Sequence, residues 1–171
     1  MELTLCQVMK RMEDCSVPNY AGVDLVNMGR EAERAVGDIL RQRGHRIGPA
    51  KNYHYDLLCD DTVRIEVKAA YPSSKGNVAW AFNSRKRLED FCDVVVLIAN
   101  VDGQTFHYVL PADHQVFYGS NGEPKAGIGV TKTPSTVRST GRILRRHLEH
   151  WDLVRQIRDG EYHKAEQPAL F

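Results

Sequence analysis

No run of about 18 apolar residues occurs in this chain of 171, so no segment is suited to crossing a membrane as a helix. Cysteine is sparse and badly spaced for metal or redox work. The four cysteines stand at 6, 15, 59 and 92, and no two make a C-x-x-C pair. A zinc ribbon and a thioredoxin-type dithiol are therefore not expected. Cys59 and Cys92 lie inside apolar runs and read as buried free thiols, which fits a reducing cytoplasm. A surplus of either charge is missing too, since the net charge is +1. The first twelve residues place Glu2 early and Lys10 and Arg11 late. A secretory signal has the reverse order, so export is not expected and the cytoplasm is the expected compartment. No internal repeat is visible.

What is present suits one ordinary domain. The length can bury a real core but not two comfortable ones. Hydrophobic residues make up 42% and charged residues 26%, both normal for a soluble globular chain. The even net charge hides a gradient. Residues 1–61 hold 8 basic and 10 acidic side chains, residues 62–131 hold 7 of each, and residues 132–171 hold 8 basic and 5 acidic. Basic charge gathered toward the C-terminus is placed to follow a phosphate backbone.

Periodicity divides the chain further. Residues 3–12 have helical spacing, and a second helix is predicted from Asp24 as N-cap to Gly44, with Leu25, Met28, Ala32, Val36, Ile39 and Leu40 on its apolar face. The period then shortens to two. Residues 55–59 read as a strand, Asp60-Asp61 as a turn, and Val63, Ile65 and Val67 alternate with Arg64, Glu66 and Lys68 in the next strand. Residues 78–82 predict a third strand and 84–91 a short helix. Residues 94–99 are apolar throughout, as in a central strand buried on both faces. Asp102-Gly103 predicts a hairpin into residues 104–110. Residues 118–136 are rich in Gly, Pro, Ser and Thr and read as a flexible loop. Residues 141–158 return to helical spacing. The expected organisation is a core over 1–117, that loop, a basic C-terminal helix within 137–160, and a tail over 161–171.

Asp56, Glu66 and Lys68 carry the strongest chemical signal. Alternation puts Glu66 and Lys68 on one face of a strand, and a hairpin about residues 60–62 folds Asp56 back beside Glu66. A two-residue loop pairs 56 with 65, and a three-residue loop pairs 56 with 66. An ordinary surface hairpin with a polar face satisfies the same alternation. Clustered carboxylates are nevertheless poor core material unless paired or metal-bound, and magnesium favours oxygen ligands of this kind. Such a group is suited to phosphodiester hydrolysis, with Lys68 orienting water or stabilising charge on the phosphate.

The surrounding pattern resembles the core of archaeal-type Holliday junction resolvases and related PD-(D/E)XK nucleases. Its marks here are Glu33 on a helix, Leu40 and Gly44 after it, Asp56, and Glu66-Val67-Lys68 on the hairpin, within residues 24–111. Tyr55 stands where the family usually has proline. The resemblance implies an α/β, restriction-endonuclease-like fold: a mixed central sheet flanked by helices, in one domain with a basic C-terminal extension. It implies a metal-dependent DNA endonuclease of the structure-specific repair or mobile-element (homing) kind. Asp56 and Glu66 would hold Mg²⁺ or Mn²⁺, joined by the Val67 carbonyl, with Glu33 near the metal and Lys68 catalytic. Glu31 falls on a solvated face of the same helix. Many relatives cut as dimers, so a homodimer is open. The alternative function is a DNA- or clamp-binding module that keeps the nuclease fold without catalysis.

Weaker signals remain. Arg85, Lys86 and Arg87 follow the third strand, and Arg142, Arg145 and Arg146 decorate the C-terminal segment. Each set reads equally as a solvated face or as DNA contacts. His147 and His150 read as packing or phosphate contacts. The terminal Gln167-Pro168-Ala169-Leu170-Phe171 looks like the Gln-x-x-Leu-Phe peptide with which bacterial proteins dock on the DNA sliding clamp, and reads otherwise as a tail packed on its own domain.

Overall fold

The computed structural model describes residues 25–70, 78–83, 86–101, 104–131 and 144–163. The predicted helix at 3–12, the Asp24 cap, the Asp102-Gly103 turn, Arg85, Arg142 and the tail residues Gln167, Leu170 and Phe171 lie outside them.

Helix α1 (Leu25–Gln42) ends as its sequence predicts. Gly44 takes φ +89°, a left-handed conformation that costs glycine little. Its N–H donates to the Arg41 carbonyl, and the His45 N–H donates to that of Leu40, which closes the helix with a Schellman pair. Val36 and Leu40 on its apolar face are fully buried, each contributing roughly 1.5–3 kcal/mol through burial.

The chain then builds a five-stranded sheet in the order β1 (Ile47–Pro49), β2 (Leu57–Cys59), β3 (Val63–Ala70), β5 (Val94–Val101), β6 (Gln104–Pro111). All neighbours are antiparallel except β3 and β5, so the sheet is mixed. The β2–β3 connection is the three-residue form, with Leu57 opposite Ile65 and Cys59 opposite Val63. Residues 94–99 of β5 are all buried, as a strand between two neighbours and under two layers requires.

Alternation sorts the side chains of β3. Val63, Ile65, Val67 and Ala69 face α1 and the short helix α2 (Asp152–Arg158), in a core that includes Val36, Leu40, Val94, Val96, Trp151 and Val154. The other face of the sheet packs Val95, Leu97, Tyr108 and Leu110 against Phe82, Leu88, Phe117, Ile128 and Leu144. Glu66 and Lys68 belong by register to this second face.

Three elements differ from the sequence expectation: the loop at 118–136, the helix at 84–91 and the continuous C-terminal helix. The strand predicted at 78–82 forms as β4 (Val78–Asn83), but it stays outside the main sheet and pairs with β7 (Gly127–Thr131). Residues 118–136 thus contain a strand where a flexible loop was expected. Gly127 and Gly129 disguise it, because small residues carry no alternation; a side chain at 127 would press on the Phe82 carbonyl at 3.2 Å. The predicted helix at 84–91 is a 3-10 turn, Leu88–Asp90, within its described part.

The continuous C-terminal helix is also corrected. Its described part is a 3-10 turn at Arg145–His147, a break, and then α2. Leu148 bridges to Tyr108, and Glu149 adopts φ +52°. The Glu149 carboxylate accepts the His107 backbone N–H at 2.9 Å and the Trp151 indole N–H at 2.7 Å, and lies 3.0 Å from His107 Nδ1. These tertiary bonds outweigh one helical turn.

Candidate active site

The β2–β3 hairpin gathers the predicted carboxylates. At Asp56 the regular ladder gives way. Its N–H donates to the Ile65 carbonyl at 2.9 Å, and its carboxylate Oδ2, not a backbone carbonyl, accepts the Val67 N–H at 2.7 Å. Asp56 is thereby fixed against the strand that carries Glu66. Glu66 is 7% exposed. Lys68 Nζ donates to its Oε1 at 2.8 Å.

Lys86 completes the group. Its Nζ stands 3.4 Å from both oxygens of Glu66 and donates to the His54 carbonyl at 2.9 Å. It also lies 5.4 Å from the centre of the Phe91 ring. The sequence marked Lys86 as part of a basic run, either a solvated face or a DNA contact, and not as a partner of Glu66. Only the fold of the chain between β4 and β5 brings the two together.

Burial, above all, raises the Asp56 carboxyl to about 6, and the negative charges of Glu66 and Glu33 add to it. The Val67 N–H and the Lys68 ammonium work in the opposite direction. Glu33 is half-buried on α1. Burial raises its carboxyl, and the charge of Glu66 raises it further against the pull of Arg30. The three acids therefore feel one another. Glu31 is exposed and lines a shallow groove with Met28, Ala35, Ala69 and Thr105.

This donor set suits a hard divalent cation. Asp56 and Glu66 offer carboxylate oxygens, and a dication beside them would offset both the burial that chiefly raises Asp56 and the charge of its acidic neighbours. A second cluster, His45, Cys59 and Asp60, has its donor atoms within 4.8 Å of one another. It suits a metal less well. Asp60 Oδ2 lies 2.8 Å from His45 Nδ1 and accepts from Arg158 Nη1 at 3.0 Å, so a guanidinium already holds the position beside the carboxylate. Burial first, and then the Asp60 charge, push the Cys59 thiol up to about 12, far from the thiolate that a metal needs. The cluster is a clasp that ties the β2–β3 turn to the start of β1 and the end of α2.

The other predicted contacts are scattered. Arg87 donates to the Gly122 carbonyl at 3.2 Å and lies over Tyr118. Arg145 is half-buried near Tyr108, and Arg146 is exposed. His147 packs edge-on to His114 with ring centres 4.7 Å apart. The described residues do not join these arginines to the carboxylates.

The architecture is that of a single α/β domain, with a mixed sheet and helices against it. Among solved structures, the chain is similar to a bacterial homing endonuclease, I-Ssp6803I, with a TM-score of 0.56 and 22% identity; the match covers 78% of this chain and 92% of that one. No family model matches the sequence, and no curated protein matches it. No helix among the described residues is long and apolar enough to cross a membrane.

Proposed function

We propose that the protein is a metal-dependent DNA endonuclease of the PD-(D/E)XK type. The observation that carries this reading is the meeting of Asp56, Glu66 and Lys68 at one hairpin, with Asp56 raised by burial and then by its acidic neighbours. The shared fold with an enzyme described as a homing endonuclease supports it, and favours a mobile-element type over a repair type.

Asp56, Glu66 and the Val67 carbonyl would hold Mg²⁺ or Mn²⁺, with Glu33 adding charge from α1. The chemistry such an ion supplies is polarisation of the phosphate and a lowered pKa for the attacking water. Lys68 orients that water or neutralises charge growing on the phosphate oxygens. Lys86 offsets the Glu66 charge, which would otherwise repel the substrate. In the reaction a water oxygen bonds to phosphorus, the bond from phosphorus to a sugar oxygen breaks, and that sugar oxygen gains a proton.

The test is cleavage of linear, nicked, flap and four-way-junction DNA in Mg²⁺ or Mn²⁺. At least one substrate is expected to be cut, and chelation is expected to stop it. Binding of DNA with no cleavage of any substrate would favour the non-catalytic module instead. Docking on a sliding clamp through Gln167, Leu170 and Phe171, and a homodimer, are separate proposals, checked by peptide binding and by solution mass.

A further inference from the structure

The loop that delivers Asp56 presents an aromatic ring to solvent. Tyr53 is 90% exposed, the one large apolar side chain so exposed among the described residues. A single exposed ring is ordinary on a protein surface, and exposure alone carries nothing. The setting of Tyr53 is what matters. The loop is pinned on both sides of it. Tyr55 is buried, and its hydroxyl accepts the Lys51 N–H at 3.2 Å. The Asn52 side-chain oxygen accepts the His54 N–H at 2.9 Å. The His54 ring stacks on Phe91, with centres 4.8 Å apart and planes 21° apart. Tyr53 leans on His54 from outside, with centres 4.1 Å apart.

Three rings thus run from solvent inward. At their inner end stands Lys86, 5.4 Å from the Phe91 centre and 3.4 Å from Glu66. An aromatic face held on a fixed loop loses little freedom when a flat ligand covers it. The Lys86 ammonium, paired with Glu66, lessens the repulsion that a phosphate would meet beside these rings. A polynucleotide offers both a flat ring and a phosphate at neighbouring positions.

We infer that Tyr53, backed by the His54 ring, forms a stacking ledge for one nucleobase of the substrate strand, next to the phosphate that a metal at Asp56 and Glu66 would bind. The inference rests on the nuclease reading and narrows its substrate. A base inside a duplex is already stacked on both sides. The ledge therefore takes an unpaired or splayed base, at a single-stranded segment, a branch or a distorted site.

The test measures the affinity of the full chain for a fluorescent single-stranded oligonucleotide and for the paired duplex of the same sequence, in Ca²⁺ to fill oxygen sites. Tyr53→Ala is expected to weaken single-strand binding about 5- to 140-fold, the range that stacking of one base carries. Duplex affinity should change far less. Tyr53→Phe should bind as the wild type does, and Tyr53→Leu should fail as Tyr53→Ala does. The side chain is exposed, so all three variants are expected to fold. If Tyr53→Ala binds single strands as tightly as the wild type, or Tyr53→Leu matches Tyr53→Phe, or both DNA forms weaken equally, the ledge is wrong and the hydrolytic site still stands. If the wild type binds neither form and cuts no DNA, the nuclease reading fails and the ledge falls with it.

Discussion

Glu66 shares its nearly buried position with two ammonium groups, Lys68 at 2.8 Å and Lys86 at 3.4 Å. Either lysine alone can still partner the carboxylate, so the two are redundant for folding. The proposed chemistry gives them different parts, because Lys68 lies beside Glu66 on β3 and Lys86 reaches in from the segment before β5. Lys68→Ala is expected to lose at least about 100-fold in cleavage rate, the scale of one lost charge stabiliser. Its melting temperature should hardly move. The Lys68→Ala/Lys86→Ala double variant leaves Glu66 unpaired and is expected to cost about 3–5 kcal/mol in stability. Denaturant unfolding of the two single variants and the double variant checks this. Stability losses that simply add would show that the lysines do not share Glu66.

The hairpin that aims these residues is held by its turn. Asp60 and Asp61 both adopt positive φ, at 49° and 63°, which non-glycine residues rarely do. Burial alone would raise the Asp60 carboxyl. Hydrogen bonds from His45, the Arg46 backbone and Arg158 overcome that and lower it to about 2. A carboxyl depressed on folding stabilises the fold above its unfolded pKa, near 4, and the gain is lost as pH falls toward 2. Asp60→Ala is expected to destabilise by about 1–3 kcal/mol at neutral pH, since it orphans the groups that bond to it. It should also flatten the acid limb of the stability curve between pH 4 and 2. An unchanged acid limb in the variant would show that the clasp is idle. Sequence made much of this element legible and missed the rest for physical reasons. Helix α1, the hairpin and β5 announce themselves through strong periodicity, a glycine stop and an unbroken apolar run. So do Asp56, Glu66 and Lys68, because their spacing is local. β7 is hidden by its glycines, and the break at Glu149 comes from bonds to His107 and Trp151 that no local pattern records. Lys86 was visible as a charge, but its contact with Glu66 spans 20 positions and needs the fold.

Across the whole molecule, two layers pack on a mixed sheet, and the acidic site sits where the β2–β3 hairpin meets the segment between β4 and β5. A folded chain that binds a dication gains stability in proportion to occupancy, roughly 2.7 kcal/mol at a hundred times the dissociation constant. Mg²⁺ or Mn²⁺ is therefore expected to raise the melting temperature of the wild type, and not that of an Asp56→Ala/Glu66→Ala variant. An equal rise in both would place the ion elsewhere, with the His45, Cys59 and Asp60 cluster the next place to look. Catalysis is the more direct question. The decisive measurement is the rate at which wild type, Asp56→Ala and Glu66→Ala cut one DNA substrate in Mg²⁺, each shown to be folded by its thermal transition. The account predicts cleavage by the wild type and none above background by either variant, with DNA binding kept, since less negative charge then faces the phosphates. Cleavage by either folded variant at the wild-type rate would contradict it.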